Sequence, residues 1–290
     1  MKTGNSKSIR AFLLKLSQNE GLVFQQVITR YLHERLLYRL SLSEYNTQIF
    51  LKGGNLLYAI EGLHVRPTVD IDVLAKQIAN DKEKFRNIFK DICSVSYDDD
   101  CVRFDTSNIT VLDIAEEKKY SGIRLLIEAY FDTIRQTLQV DVGFGDVIIP
   151  APVSISYPTL LDGLDAPDIM AYSIETVIAE KFHAMIEHGF FNSRMKDFYD
   201  VFILLKNNEI NNGDLQEAIF QTFKNRNVIF GDNHPLFSES FCEDPNLKAR
   251  WKAFLRKTKI SGDLDFSYVV KTILARLQPI YNEISKSIII

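Results

Sequence analysis

The spacing of apolar positions changes character along the chain. Over residues 1–48 it follows a helical period. Phe12, Leu13 and Leu16 form one stripe, and a second runs from Leu22 to Leu40 with Arg, His and Glu on an outward face. Alternation then takes over, and strands are predicted at Gln48–Lys52, Val69–Ala75, Asn108–Ala115, Gly122–Ala129 and Leu138–Gly143. Helices interrupt them at Asn55–Glu61 and Asp81–Cys93, the latter with Phe85, Ile88, Phe89 and Ile92 at helical spacing. Pro150, Pro152, Pro158 and Pro167 punctuate a loop-rich connector, DVIIPAPVSISYPTLLDGLDAPD. After it, helices are predicted at Ser173–Glu187 (Ser173 as N-cap), Arg194–Asn207, Asp214–Asn225, Pro245–Lys259 and Ser267–Lys286. The expected class is α+β, a mixed sheet with flanking helices followed by a helical C-terminal half. The expected domains are N-terminal helices at 1–48 packing on an α/β core at 49–165, then a helical domain at 166–290.

Composition narrows the class. The 290 residues are 46% hydrophobic and 25% charged, as expected of a chain that folds around a core. No apolar run approaches the roughly 18 residues of a membrane span, so no membrane segment is expected. Only AFLL precedes Lys15, so no secretory signal is expected. Cys93, Cys101 and Cys242 form no CxxC pair, which argues against a zinc site or a disulfide framework and makes the cytoplasm the expected location. A formal charge of −4 argues against a surface coated with nucleic-acid-binding charge. It leaves room for one basic patch, NLKARWKAFLRKTKI at 246–260, with six cations and no acid. There Leu247, Trp251, Phe254 and Leu255 make an apolar stripe, with Trp251 read as core. Lys248, Lys252, Arg256 and Lys259 line another face, either a phosphate-backbone contact or a solvated surface.

The candidate chemistry begins in FLKGGNLLYAIEGLHVRPTVDIDVLA, residues 50–75. A strand, the Gly53–Gly54 turn and a helix present backbone N–H groups at a helix N-terminus, a ready anion site. Asp70 and Asp72 are two apart on a strand, so both carboxylates project to one face. Like charges so close are unfavourable unless a cation holds them, and oxygen ligands suit Mg²⁺. The alternative is a pair of solvated edge-strand acids. Asp141, in LQVDVGFGD, faces away from Leu138, Val140 and Val142; a sheet placing it beside Val69–Ala75 would gather three carboxylates around two cations, the arrangement of in-line phosphoryl transfer. It reads equally as a surface acid near a turn, as Asp146 does. Lys181 sits beside a broad apolar helix surface and could simply extend to solvent. Arg194 with Asp197, and Lys196 with Asp200, have the spacing of plain intrahelical ion pairs. Asp98–Asp100 read as a solvated loop. His183 reads as satisfied or exposed, and His33, His64 and His234 as isolated.

LKGGNLLYAIEGLHVRPTVDID resembles the first motif of the DNA polymerase-β-type nucleotidyltransferases, and in particular of the AbiEii/AbiGii toxin family. The matching residues are Gly53, Gly54, Arg66, Thr68, Asp70 and Asp72. YSIETVIAEKFHAMIEHGFFNSRMKDFYDVFILL resembles the family's later motifs at Lys181, Arg194, Lys196, Asp197, Tyr199 and Asp200. The resemblance implies a polymerase-β-like core. It implies that Asp70 and Asp72 bind Mg²⁺ with Asp141, and that the Gly53–Gly54 backbone grips NTP phosphates. Lys181 would contact the triphosphate, and Asp197 would be an essential acid. It further implies a toxin of a toxin–antitoxin or abortive-infection module with a cognate antitoxin encoded nearby. The expected reaction moves a nucleotide from an NTP to an RNA, tRNA in some relatives, and releases pyrophosphate. Three rivals stand beside it: a non-catalytic nucleotide- or antitoxin-binding module, nucleotidylation of a protein, and a DxD glycosyltransferase. The helical second half lacks the repeated βα units the last requires.

Overall fold

Ile123, Leu125, Ile127, Ala129 and Phe131 are all fully buried, and the residues between them are not. That strict alternation builds the longest hairpin of a computed structural model that describes residues 5–114, 122–228, 231, 234–260 and 263–288. The chain runs α1 (Ser6–Asn19), α2 (Phe24–Ser41), β1 (Ile49–Lys52), α3 (Gly53–Glu61), β2 (Asp70–Ala75) and α4 (Lys82–Ser94). Next come β3 (Val102–Phe104), β4 (Thr110–Ile114), β5 (Gly122–Phe131), β6 (Ile134–Phe144), β7 (Val153–Ser156) and β8 (Asp168–Ala171). Helices α5 (Ile174–His188), α6 (Met195–Asn207), α7 (Asn212–Asn225), α8 (Glu239–Glu243), α9 (Pro245–Thr258) and α10 (Phe266–Ile288) complete it. Among the described residues, no helix is long and apolar enough to cross a membrane.

Two compact units divide the chain. The first comprises Met1–Gly62, Pro67–Gly145 and Val153–Ala171; the second comprises Leu63–Arg66, Asp146–Pro152 and Tyr172–Ile290. The first unit holds one mixed sheet in the order β3-β5-β6-β2-β1-β8-β7, with β4 also on β5. Its centre is parallel β2 and β6, flanked by antiparallel β1 and β5. Helices α2 and α4 pack against it. Helix α4 does so through Phe85, Ile88, Phe89 and Ile92, and its N-cap Asp81 accepts from Lys84 N at 2.7 Å. The second unit is helical, with α5 packed on α6 and α7 and α10 touching α6 to α9. Its core is aromatic: Phe182, Phe198, Phe223, Phe241, Trp251, Phe266 and Tyr281 are almost wholly buried. Ser173 caps α5, accepting from Thr176 N at 3.2 Å.

Several expectations need correction. The polar face of α2 is not outward: Arg30, His33, Glu34, Arg35 and Arg39 are all buried. Arg39 is satisfied by a bidentate pair with Asp100 at 2.7 and 3.2 Å. Asp100 is therefore a buried anchor rather than part of a solvated acidic loop. Asp146 is no free surface acid either, because it accepts from Arg226 at 2.8 Å and Tyr172 at 3.1 Å. The proline-rich connector contains β7 and β8, and β8 extends the sheet by pairing with β1. Strand β3 went unpredicted. Ala115, the predicted end of the fourth strand, lies outside the described residues.

Candidate functional site

In the first unit, sheet register sets four charged residues in one row. Lys52 on β1 is opposite Asp72 on β2, Asp72 opposite Asp141 on β6, and Asp141 opposite Arg124 on β5. Directly paired residues point to the same face, so two acids lie between two cations. Asp70, two residues before Asp72, shares that face. Asp70, Asp72 and Asp141 each offer a carboxylate oxygen, and these atoms lie within 4.8 Å of one another. Ile71, Val73, Val140 and Val142 point the other way into the core, which is why the acids cannot turn over without unmaking the sheet.

Asp70 and Asp141 are held by neighbours. Asp70 Oδ1 accepts from Thr68 Oγ1 at 2.7 Å, and its backbone carbonyl accepts from Asn55 Nδ2 at 2.7 Å. Asn55 is buried and fixed in turn by Tyr157, which donates to its Oδ1 at 3.0 Å, while His33 Nδ1 lies 3.3 Å from the same oxygen. Arg124 grips Asp141 through Nε and Nη2 at 2.8 and 2.7 Å, and Gln139 Nε2 adds a third contact at 3.1 Å. The pair raises the Arg124 guanidinium above its ordinary pKa, chiefly by hydrogen bonding. Lys52 crosses over Gly143, where an added β-carbon would meet its Nζ at 3.3 Å.

The glycine pair lies inside this constellation. Helix α3 starts at Gly53 itself, two residues earlier than predicted. Gly53 has φ +67, and a β-carbon there would run into the Asp72 carboxylate, 2.6 Å from its Cγ. A β-carbon on Gly54 would meet Thr68 at 2.6 Å. The glycines are thus required by close approach of the α3 N-terminus to β2 and its lead-in.

In the second unit, the later acids and cations form a buried network. Lys181 Nζ lies 3.0 Å from Asp197 and 2.7 Å from Asp200. Arg66 takes both Asp200 oxygens at 2.6 and 2.7 Å, and Arg194 Nε reaches Asp197 at 2.6 Å. Asp197 and Asp200 are fully buried. Burial by itself would raise Asp197, but Lys181 and Arg194 outweigh it and hold the carboxyl well below the usual range. Burial likewise works against the Lys181 charge, and Asp197 with Asp200 override it upward. Lys181 does not extend to solvent. The Arg194–Asp197 pair expected from spacing is present, whereas Asp200 pairs with Lys181 and Arg66 rather than Lys196.

The structure therefore brings Asp70, Asp72, Asp141, Gly53 and Gly54 together in the first unit, and Lys181 with Asp197 in the second. Sequence reasoning missed Lys52 and Arg124. Arg124 had a usable signal: β5 and β6 join through Asp132–Thr133, and counting outward from Phe131 opposite Ile134 sets Arg124 opposite Asp141.

Comparison with solved structures finds a protein from H. pylori described as a presumed nucleotidyltransferase. It has 16% identity and a TM-score of 0.51, and the alignment covers 91% of this chain and 98% of that one. A second, JHP933 from Helicobacter pylori, has 15% identity and a TM-score of 0.49, covering 91% and 94%. At this identity the first likeness speaks for the fold alone. Comparison with curated proteins returned no match. The family described as nucleotidyl transferase AbiEii toxin, type IV TA system, matches residues 35–276. That span carries both charged clusters and most of each unit, and the chain belongs to the AbiEii nucleotidyl transferase toxin family.

Proposed function

We propose that this protein transfers a nucleotide from an NTP to an RNA hydroxyl, a tRNA end among the candidates, with Mg²⁺ at the carboxylate cluster. The observation that carries the reading is the meeting of Asp70, Asp72 and Asp141, ligand oxygens within 4.8 Å, beside the Gly53–Gly54 helix start. The donor set fits a divalent cation. It is all oxygen, and Asp70 and Asp141 keep acceptor capacity beyond the bonds they make to Thr68 and Arg124. Asp70, Asp72 and Asp141 would hold Mg²⁺, as one ion or two; bound there, it supplies charge neutralisation for the phosphates and a more acidic acceptor hydroxyl.

The chain's own groups account for the rest. Backbone N–H groups at the start of α3 receive phosphate oxygens, where a helix N-terminus favours negative charge. Arg124 and Gln139 fix the Asp141 carboxylate so that it aligns the attacking hydroxyl. Lys181 spends two of its three donors on Asp197 and Asp200 and keeps a third. Asp197 acts by holding that ammonium. The acceptor hydroxyl releases its proton to solvent as its oxygen bonds to the α-phosphorus, the bond from that phosphorus to the bridging β-phosphate oxygen breaks, and pyrophosphate leaves. Membership in a type IV toxin–antitoxin family implies a cognate antitoxin.

The test is incubation of the purified protein with each labelled NTP, Mg²⁺ and total RNA. Label should enter RNA with the parent and not with Asp70→Ala. Label entering protein instead, or equal incorporation by the variant, would overturn the reading.

A further inference from the structure

Phe191 is 90% exposed, more than any other large apolar side chain among the described residues. It is not on a loose segment. Gly189–Phe191 forms a single 3-10 turn between α5 and α6, and residues on both sides of Phe191 are pinned. The Phe190 ring packs on Phe241 with centroids 5.3 Å apart. Asn192 is fully buried and accepts from Arg194 N at 2.7 Å. Arg250 on α9 donates to the carbonyls of Phe190 at 3.3 Å and Asn192 at 3.0 Å. The ring is held out to solvent by a fixed scaffold.

Its neighbours are cationic. Arg250 reaches the turn itself, and two donors on carbonyls leave the guanidinium others to give. Lys257, seven residues on, shares the Arg250 side of α9. Lys252, Arg256 and Lys257 are exposed and have no acid within ion-pair distance among the described residues. Lys248, by contrast, is taken up by Glu243. Helix α9 buries Leu247 and Trp251 and carries no acid. The cation set against this turn is Arg250, which bonds the carbonyls on either side of Phe191. An aromatic face beside Arg250 and Lys257 suits single-stranded nucleic acid, with a base on the ring and phosphates on the cations.

We propose that Phe191, Arg250 and Lys257 form a docking surface on the second unit for a single-stranded segment of the acceptor RNA. The inference rests on the reading that the acceptor is RNA. A base stacks on Phe191, and Arg250 and Lys257 neutralise the adjoining phosphates.

The probe is a short unstructured RNA oligonucleotide in EDTA without NTP, so that binding is measured apart from transfer. Phe191→Trp adds an exposed reporter to a chain whose single tryptophan, Trp251, is 1% exposed. RNA should quench the new emission and leave the parent's unchanged. Phe191→Ala should weaken binding, read by anisotropy, by about tenfold, within the usual range for one lost stacking contact. Lys257→Ala should flatten the salt dependence by about 0.7 in the log–log slope. Asp70→Asn should bind RNA like the parent while losing transfer. Unchanged binding by Phe191→Ala, with transfer to RNA intact in the parent, overturns this surface and spares the reaction. Quenching by the cognate antitoxin but not by RNA would overturn it in favour of a protein partner.

Discussion

Asp72 and Asp141 face each other directly across parallel strands β2 and β6, two negative charges in register on one side of a sheet. Lys52 opposite Asp72 and Arg124 on Asp141 offset the repulsion between these like charges. Replacing Asp72 by Asn should therefore change the melting temperature in EDTA little. Adding Mg²⁺ should separate the two, because a ligand that binds only the folded form stabilises the parent more than the variant. Thermal melts of both proteins with and without Mg²⁺ check this; a parent that gains no more from Mg²⁺ than the variant counts against a cation at the cluster.

Gly53→Ala and Gly62→Ala form a controlled pair. Both positions have positive φ, +67 and +85, so both variants carry backbone strain of at least about 1 kcal/mol. Only at Gly53 does the new carbon collide with Asp72, while nothing lies within 4 Å of the one at Gly62. Transfer should fall about a hundredfold for Gly53→Ala, as for other displacements of reacting groups by about 1 Å, and stay near normal for Gly62→Ala. Equal losses in the two variants would show that strain, not contact with Asp72, sets the requirement.

Asp200 should be worth far more to stability than the exposed ion pairs. Removing it leaves Arg66 and Lys181 with Asp197 as their nearby buried counter-charge, a kind of loss that costs about 3–5 kcal/mol. Arg194 pairs with Asp197 from a half-exposed position, and Arg194→Ala should cost less than about 1 kcal/mol. Urea unfolding of Asp200→Ala and Arg194→Ala would separate the two, and similar midpoints would contradict the network.

His33 and Glu34 should give the stability profile two opposing slopes. Burial pushes His33 down to about 4, with only the Asn55 bond and the Asp70 charge resisting. The unfolded chain thus takes up its proton first, and stability falls as pH drops from about 6.5 to about 4. Burial pushes Glu34 up to about 7 against the pull of Arg35 and the Leu160 amide. The folded chain then holds the extra proton, and stability falls as pH rises from about 4.5 to about 7. Between those limits the two cancel. Glu34→Gln should unmask the acid-side loss and His33→Asn the neutral-side loss, both read by urea midpoints across pH. Flat profiles in both variants would refute the assignment.

The parts of the fold visible in sequence were those with strict periodicity. Leu138, Val140 and Val142 alternate against Asp141 without exception, so β6 and the facing of its acid could be read directly. The same alternation on Val69–Ala75 gave the facing of Asp70 and Asp72, and adjacency of the two strands is what the sheet then supplied. Strands β7 and β8 escaped because each has four residues and proline punctuates their surroundings. Helix α2 misled for another reason. Arg39, Arg35 and Glu34 are polar in type but bond inside the protein to Asp100, Asp165 and Leu160, partners about 60–130 residues distant in the chain that local pattern cannot reveal. The same holds for Lys181: periodicity saw a long side chain beside apolar surface, and only the fold brings both aspartates to its ammonium.

Leu63–Arg66 belong to the second unit although they fall between α3 and β2 of the first. Arg66 can complete its bidentate pair only with Asp200, 134 residues further on. On a ribosome, the chain just ahead of the paired aspartates must wait for most of the protein to be made before it can settle. Neither unit can then be produced faithfully as one continuous fragment. A truncated translation product ending before Asp200 would leave that stretch without its anchor, so a chain cut short would carry the carboxylates without the fold that steadies the approach to them.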